Sequence, residues 1–170
     1  MPSRPCAARA RGARRRALWR QGDLFVSIRH NSTVMLRRPS TNRVLWLREG
    51  PWSPRHDVDI VDDHTIAASN NNVFDKGSGA RVSGSNNIIC YDFATDQTRA
   101  PFSALFETEE IKTMSEGLFA LLPDGGVMVE KENFGRLLIA DRDDNVKSRF
   151  IHRAENGEVY RPGWSRVITP

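Results

Sequence analysis

The stretch with the most closely spaced reactive side chains is "RHDVDIVDDH", which carries two histidines and four aspartates. A neutral imidazole is an effective nucleophile near pH 7, because its pKa lies close to that value. Imidazole and carboxylate groups are also ligands for metal ions. Two hypotheses follow: His56 acts as a nucleophile with Asp57 as its orienting group or base, or the stretch binds a metal.

Strand periodicity argues against the metal. The stretch alternates polar and apolar residues, which predicts a β-strand whose successive side chains point to opposite faces. His56, Val58 and Ile60 would then share one face, and Asp57 and Asp59 would share the other. We therefore expect no metal site, and a hydrogen-bonded structural histidine remains the alternative to a nucleophile.

A second polar group, Arg29, His30 and Asn31, ends an apolar strand-like run. A guanidinium suits a tetrahedral oxyanion, because it is planar, always charged and presents its donors in a fixed geometry. For Arg29, an ion pair across a half-exposed strand is the structural alternative. His30 and Asn31 are also suited to a simple turn.

The elements that must position these groups are short β-strands. Large apolar and β-branched residues form short runs between turn signals rich in Gly, Pro, Ser and Asn. The two prolines of "PWSP" interrupt the pattern, because proline cannot donate to a strand ladder. Strands are predicted at 23–30, 32–38, 44–50, 56–63, 64–70 and 87–95, with more between 117 and 153, a polar loop at 70–86 and one short helix at 101–112.

Three rounds of strands share one pattern. They recur after about 40–55 residues, which is the spacing of propeller blades with four strands each. The predicted fold class is therefore all-β, a partial β-propeller of about three blades. Because natural propellers usually close with about four to eight blades, we expect either part of a larger ring or self-association through open blade edges.

Charge divides the chain in two. Of the 25 Lys and Arg residues, seven lie in residues 1–22, which contain no acid. The rest of the chain contains the other 18 basic residues and all 21 acidic residues, so its formal net charge is −3. We expect a basic, disordered tail at 1–21 and a β-propeller domain at 22–170. The tail lacks the apolar core of a secretory signal. No apolar run in the sequence is long enough to span a membrane. The net negative charge of residues 23–170 does not predict nucleic-acid binding.

Three local predictions concern packing. Cys90 lies in an apolar strand-like run and is predicted to be a buried thiol. The "PDGG" sequence is typical of a hairpin turn. Gly135 is predicted to mark a bulge or a close approach beside a buried aromatic residue, Phe134.

The order of several motifs resembles one family. "GDLFVSIRHNSTVMLRRPSTNRVLW" followed by "GPWSPRHDVDIVDDHTI" is similar to the S-x-R strand, the hairpin and the QHD or QHT segment of the PAPS-independent arylsulfotransferases. "PDGGVMVEKENFGRLLIADRDDN" resembles their later pDG, E and GRL segment, and "NGEVYRPGWSR" resembles their closing element. The resemblance covers 22–166 and implies a six-bladed propeller of which this chain is the C-terminal half.

The resemblance also implies a reaction. A sulfuryl group would pass from a phenolic sulfate to a phenol through a sulfated histidine, with no cofactor. His56 falls on the nucleophile and Arg29 on the arginine that contacts the sulfuryl group. The expected substrate-binding residues are their neighbours His30, Asn31, Arg55 and Asp57.

Two departures bear on this reading. Arg55 stands where the family usually has Gln, and "SNNN" at 69–72 replaces a segment of the FDN type. The family's other active-site histidines lie in earlier blades, so this chain alone is expected to be inactive. The alternative is a non-catalytic propeller that binds a partner or ligand. Family members are typically exported, but the sequence itself does not indicate a compartment.

Overall fold

A computed structural model describes residues 18–28, 31–52, 57–115 and 117–168. Within these residues the chain is all-β, with 13 strands in four antiparallel sheets and one α-helix, α1 (Ser103–Thr108). The strands are β1 (Leu24–Ile28), β2 (Thr33–Arg38), β3 (Arg43–Glu49), β4 (Val58–Ile60), β5 (Thr65–Asn70), β6 (Val73–Phe74), β7 (Arg81–Val82), β8 (Asn87–Asp92), β9 (Gln97–Arg99), β10 (Leu118–Leu121), β11 (Val127–Lys131), β12 (Arg136–Ala140) and β13 (Val146–Ile151).

Three of the sheets follow one another along the chain. The first has the order β1-β2-β3, the second β4-β5-β8-β9, and the third β10-β11-β12-β13. Neighbouring strands are joined mainly by tight turns; for example, Asn42 adopts a left-handed conformation, with φ of 53°, between β2 and β3. The prediction of an all-β chain built from successive antiparallel sheets is confirmed.

The predicted polar loop at 70–86 contains a small hairpin. Strands β6 and β7 pair through only two residues each, Val73 with Val82 and Phe74 with Arg81. Its Gly- and Ser-rich tip gave no strand signal in the sequence. The predicted helix is confirmed but shorter, since it spans Ser103–Thr108.

Side-chain alternation in the middle sheet produces two cores. Ala67, Ile88 and Cys90 pack toward the third sheet and α1, where they meet Phe119 and Val129. The intervening residues Ile66, Ile89 and Tyr91 pack toward the first sheet, with Val34 and Trp52. The middle sheet is therefore buried on both faces, which explains why β5 contains no charged residue.

The two ends of these sheets differ. We call the end that contains Ser32, Asp57, Asn71, Asn86 and Lys131 the loop end, because the longer connections lie there. The opposite, turn end carries short hairpin turns, including 122–126 and 141–145. Phe25, near the start of β1, packs on Phe93 at the turn end of the second sheet, with ring centroids 6.1 Å apart. Strand β1 therefore runs toward the loop end.

Glycines make two close approaches possible in the third sheet. A Cβ on Gly126 would lie 2.4 Å from the carbonyl oxygen of Ala140. The predicted "PDGG" hairpin turn is confirmed, because it joins the paired strands β10 and β11. Gly135 has φ of +61°, and a Cβ there would lie 2.0 Å from Val159. The predicted close approach at Gly135 is confirmed.

Two local predictions were wrong. Phe134 is 52% exposed, because its 3-10 turn directs the ring outward, where the Lys131 ammonium lies 4.4 Å from the ring centroid. Cys90 is buried as predicted but is disulfide-bonded, so it is not a free thiol.

No helix in the described parts of the chain is long and apolar enough to cross a membrane.

Candidate functional site

Four of the six predicted site residues lie outside the described residues. They are Arg29, His30, Arg55 and His56. The other two are described: Asn31 follows the gap at 29–30, and Asp57 follows the gap at 53–56. The surroundings of both gaps can therefore be traced through the residues on either side.

Both gaps are bordered by residues of the loop end. The Gly50 amide, after β3, donates to the carbonyl oxygen of Ser32, before β2, over 3.0 Å. The carbonyl of the neighbouring Asn31 accepts a hydrogen bond of 2.8 Å from the Thr33 hydroxyl. These bonds tie the connection between β1 and β2 to the segment that leads toward β4, and β1 also contacts β4.

Trp52 and Asp57, the residues on either side of 53–56, both contact the middle sheet or its core. Trp52 is only 2% exposed and packs in the core with Val34 and Ile66. The Asp57 carbonyl accepts a hydrogen bond of 3.4 Å from the Ser69 amide near the end of β5. Trp52 and Asp57 therefore both lie beside strand β5.

Strand β4 separates its side chains as predicted. Val58 packs toward the first sheet, while Asp59 pairs across the ladder with Ala67, which faces the third sheet. Burial raises the pKa of Asp59 to about 6, and the nearby charge of Asp57 adds to this effect. The Arg166 guanidinium opposes it by favouring the charged carboxylate. The start of β4 therefore carries concentrated negative charge, partly balanced by one cation.

The cation comes from the C-terminal segment, which a buried glutamate fixes. The Ser165 amide donates to Glu130 Oε2 over 2.8 Å, and Glu130 is 1% exposed. Its other oxygen, Oε1, has no hydrogen-bond partner among the described residues. Arg166 donates to the Ser165 carbonyl over 3.1 Å and lies on the ring of Trp164. This segment brings a guanidinium toward β4 from the far end of the chain.

An amide network stiffens the loop end. The Asn86 Nδ2 donates to the carbonyls of Asn71, over 2.6 Å, and Thr113, over 3.0 Å. Its Oδ1 accepts from the Thr113 amide. Asn72 Nδ2 donates to the Ser85 carbonyl over 2.6 Å. The "SNNN" segment thus serves to hold the loop that carries β6 and β7.

Sequence reasoning missed two residues of this region. Glu130 had a signal, since a carboxylate within the apolar run "VMVEK" must find a partner when it is buried. Arg166 had none of its own, although its segment was noted as a closing element. Among the described residues, no three His, Cys, Asp or Glu side chains converge to form a metal-binding group.

Comparisons with known proteins give a family and weak structural likenesses. A family model described as Arylsulfotransferase (ASST) matches residues 16–153. No match was found among curated proteins. Among solved structures, "Dihydro-heme d1 dehydrogenase NirN in complex with DHE" is similar at 13% identity with a TM-score of 0.48, over 95% of this chain and 29% of that one.

A second solved structure, "a functionally unknown protein from Desulfotomaculum acetoxidans DSM 771", is similar at 15% identity with a TM-score of 0.46. That match covers 84% of this chain and 37% of the other. The present chain therefore spans well under half the length of both structures.

Proposed function

Because the chain belongs to the arylsulfotransferase family, we propose that it transfers a sulfuryl group from a phenolic sulfate to a phenol. The match to residues 16–153 includes both segments that carry the predicted reactive residues, Arg29 and His56. The donor is a singly charged aryl sulfate, and the acceptor is a neutral phenol.

The proposed mechanism uses His56 as the nucleophile. Its imidazole nitrogen attacks the sulfur, the bond from sulfur to the phenolic oxygen breaks, and the phenolate leaves. The acceptor oxygen then attacks the sulfohistidine, the sulfur–nitrogen bond breaks, and the acceptor's proton passes to the imidazole or to solvent. Arg29 holds the sulfuryl oxygens, whose charge a bidentate guanidinium matches.

One observation supports a single site for these residues. The hydrogen bond from the Gly50 amide to the Ser32 carbonyl joins, over 3.0 Å, the chain just after Arg29 and the chain just before His56. In the proposed site, His30, Asn31, Arg55 and Asp57 contact the substrates. Arg166 offsets the negative charge of Asp57 and Asp59, which would otherwise repel an anionic donor.

The proposed whole protein is a larger propeller. The first three sheets would be consecutive blades, and further blades would supply the rest of the channel wall and the family's other histidines. Under this proposal the domain at 22–170 is incomplete as a catalyst, so the 170-residue chain shows no turnover. The faces of the first and third sheets that do not pack on the second sheet would be covered by other blades or by a second copy.

The test is transfer from p-nitrophenyl sulfate to phenol. We expect the chain with its upstream blades to be active and to accumulate a sulfated histidine that mass spectrometry assigns to His56. His56→Ala should abolish both signals, and Arg29→Lys should lose at least tenfold in kcat/KM, because an ammonium cannot reproduce the bidentate contact.

His64→Ala is the matched control, since His64 lies in the connection between β4 and β5 at the turn end. It should retain transfer within about twofold, as expected of a residue that does not touch the reacting atoms. Undiminished transfer by the His56→Ala variant would overturn the mechanism. It would favour the non-catalytic binding propeller instead.

A further inference from the structure

A cleft opens between the second and third sheets at the turn end. Its volume is about 570 Å³, within the range of roughly 300–1,000 Å³ typical of small-molecule sites. Strand β4 and Val61 form one side, and the end of β10 with the hairpin turn 122–126 forms the other. Asn31 and Asp57, the described residues of the proposed transfer site, do not line it.

Most of the cleft wall is apolar. Phe102, which is 2% exposed, contributes to the wall just before α1. The remaining apolar side chains are those of Val61, Leu121, Leu122 and Pro123. A bound molecule would therefore bury a hydrocarbon or aromatic body here, which the hydrophobic effect favours.

One wall residue is a carboxylate without a partner. Asp59 stands opposite Ala67 in the β4–β5 ladder, and the small Ala67 side chain is fully buried in the core beneath it. Asp59 is half-buried, and it accepts no hydrogen bond and forms no ion pair with the described residues. A carboxylate in this position loses hydration and is only partly compensated by the charge of Arg166, so a donor from a ligand would stabilise it.

The charges around Asp59 favour a cation over a neutral donor. Asp57, immediately before β4, and Asp124 at the cleft add negative charge, and the Gly126 amide donates to Asp124 over 3.0 Å. Two positive groups oppose them. Arg166 acts on Asp59 from the C-terminal segment, and Arg142 lines the cleft but is engaged in an interaction of its own.

We propose that this cleft binds a small organic amine with an apolar body. The ammonium group donates to the Asp59 carboxylate, and the body packs on Val61 and Leu121. The inference does not rest on sulfuryl transfer, because the cleft lies at the turn end and the proposed transfer site lies at the loop end.

Three probes that share a phenylethyl body test the proposal: phenethylamine, 2-phenylethanol and 3-phenylpropanoate. Protein-observed NMR titration of the whole chain should show the amine binding at least tenfold more tightly than the alcohol, and no binding of the carboxylate. Asp59→Asn should weaken the amine at least tenfold and leave the alcohol unchanged. Asp124→Asn, a matched change at the same cleft, should weaken the amine less than threefold.

The pH dependence separates the ion pair from simple apolar contact. Asp59 has a pKa of about 6, so the amine should bind with constant affinity above pH 7 and progressively less well as Asp59 is protonated below pH 6. Phenethylamine itself stays protonated throughout, as lysine-like amines do up to about pH 10. The Asp59→Asn variant should lack this dependence.

Several results would overturn the proposal. Equal binding of all three probes would show an apolar groove without charge selection. Unchanged amine affinity in Asp59→Asn would show that another group holds the ammonium. Absence of chemical-shift changes at residues 59–61 and 121–126 with millimolar amine would show that the cleft is not a binding site.

Discussion

Asp59 is a carboxylate that burial in the cleft wall holds in an unfavourable environment. Its pKa of about 6 means that the folded state binds a proton more tightly than the unfolded state, where the value is 3.8. The ionised form is therefore a cost to folding at neutral pH. This cost falls as pH decreases through 6 and disappears when both states are protonated.

Asp59→Asn should consequently stabilise the protein near neutral pH. Because solvent screens a half-exposed carboxylate, we expect a gain of about 1 kcal/mol at pH 7.5 and no difference near pH 3.5. Urea unfolding at both pH values measures this. Asp63→Asn, an exposed aspartate in the same hairpin, is the control. A loss of stability for Asp59→Asn at pH 7.5 would contradict the assignment.

The sequence predicted part of this residue-level picture. Alternation placed Asp57 and Asp59 opposite Val58, as the structure shows for Asp59 and Val58. The raised pKa of Asp59 was not predictable, because its burial depends on a cleft wall formed by residues near Leu121. The same holds for Arg166, whose position depends on the hydrogen bond between Ser165 and Glu130.

At the level of elements, one glutamate attaches α1 to the third sheet. Glu109, which follows the helix, accepts from Arg136 on β12 over 3.0 Å and from Arg149 on β13 over 2.6 Å. Hydrogen bonding to Arg149, with Arg136 nearby, lowers the pKa of Glu109. The stabilisation is therefore present above the unfolded pKa of 4.5 and is lost as pH falls through the lower, folded value.

Glu109→Gln should destabilise the protein by about 1–2 kcal/mol at pH 7, because charge-assisted bonds to two arginines are weakened. The difference should shrink below pH 4. Glu107→Gln, an exposed glutamate of the same helix, should change the unfolding free energy by less than about 0.5 kcal/mol. Denaturant unfolding of all three proteins checks this, and equal effects of the two substitutions would refute the attachment.

The elements themselves were largely readable from sequence. Strands β1, β2 and β3 lie within two residues of the predicted bounds, because β-branched and aromatic residues stand between clear turn signals. The β6–β7 hairpin was not predicted, because strands of two residues are too short to show an alternation of polar and apolar residues. Phe134 was misplaced because a 3-10 turn interrupts the alternation that would have buried it.

For the whole molecule, the family follows from the sequence and the all-β class from sequence and structure alike, while the complete ring remains a proposal. The division into a basic tail and an acidic body remains a prediction too. Trp19 packs on Phe25 and Phe93, with ring centroids 5.1 and 5.2 Å apart, so the packed body includes this residue. Six of the chain's arginines precede it within residues 1–16.

Replacing those six arginines with serine should leave the melting temperature unchanged within about 2 °C, as expected of substitutions in a solvated tail. The same variant should lose retention on heparin, because the remaining body has more acidic than basic residues. A salt gradient on heparin and a thermal melt measure the two effects. A fall of many degrees would show that the arginines belong to the folded structure.

The Asn86 hydrogen bonds have a consequence for the order of folding. They join residues 15 and 27 positions apart, comparable with the long connection from β5 to β8, whereas the other hairpins of the main sheets close over a few residues. Loop closure costs more entropy as the loop lengthens, so the hairpins form first and the Asn86 side chain docks late. A contact made after the transition state governs how slowly the native state opens rather than how fast it forms. We therefore expect Asn86→Ala to speed the opening of the loop end more than it slows folding, as unfolding and refolding rates would measure.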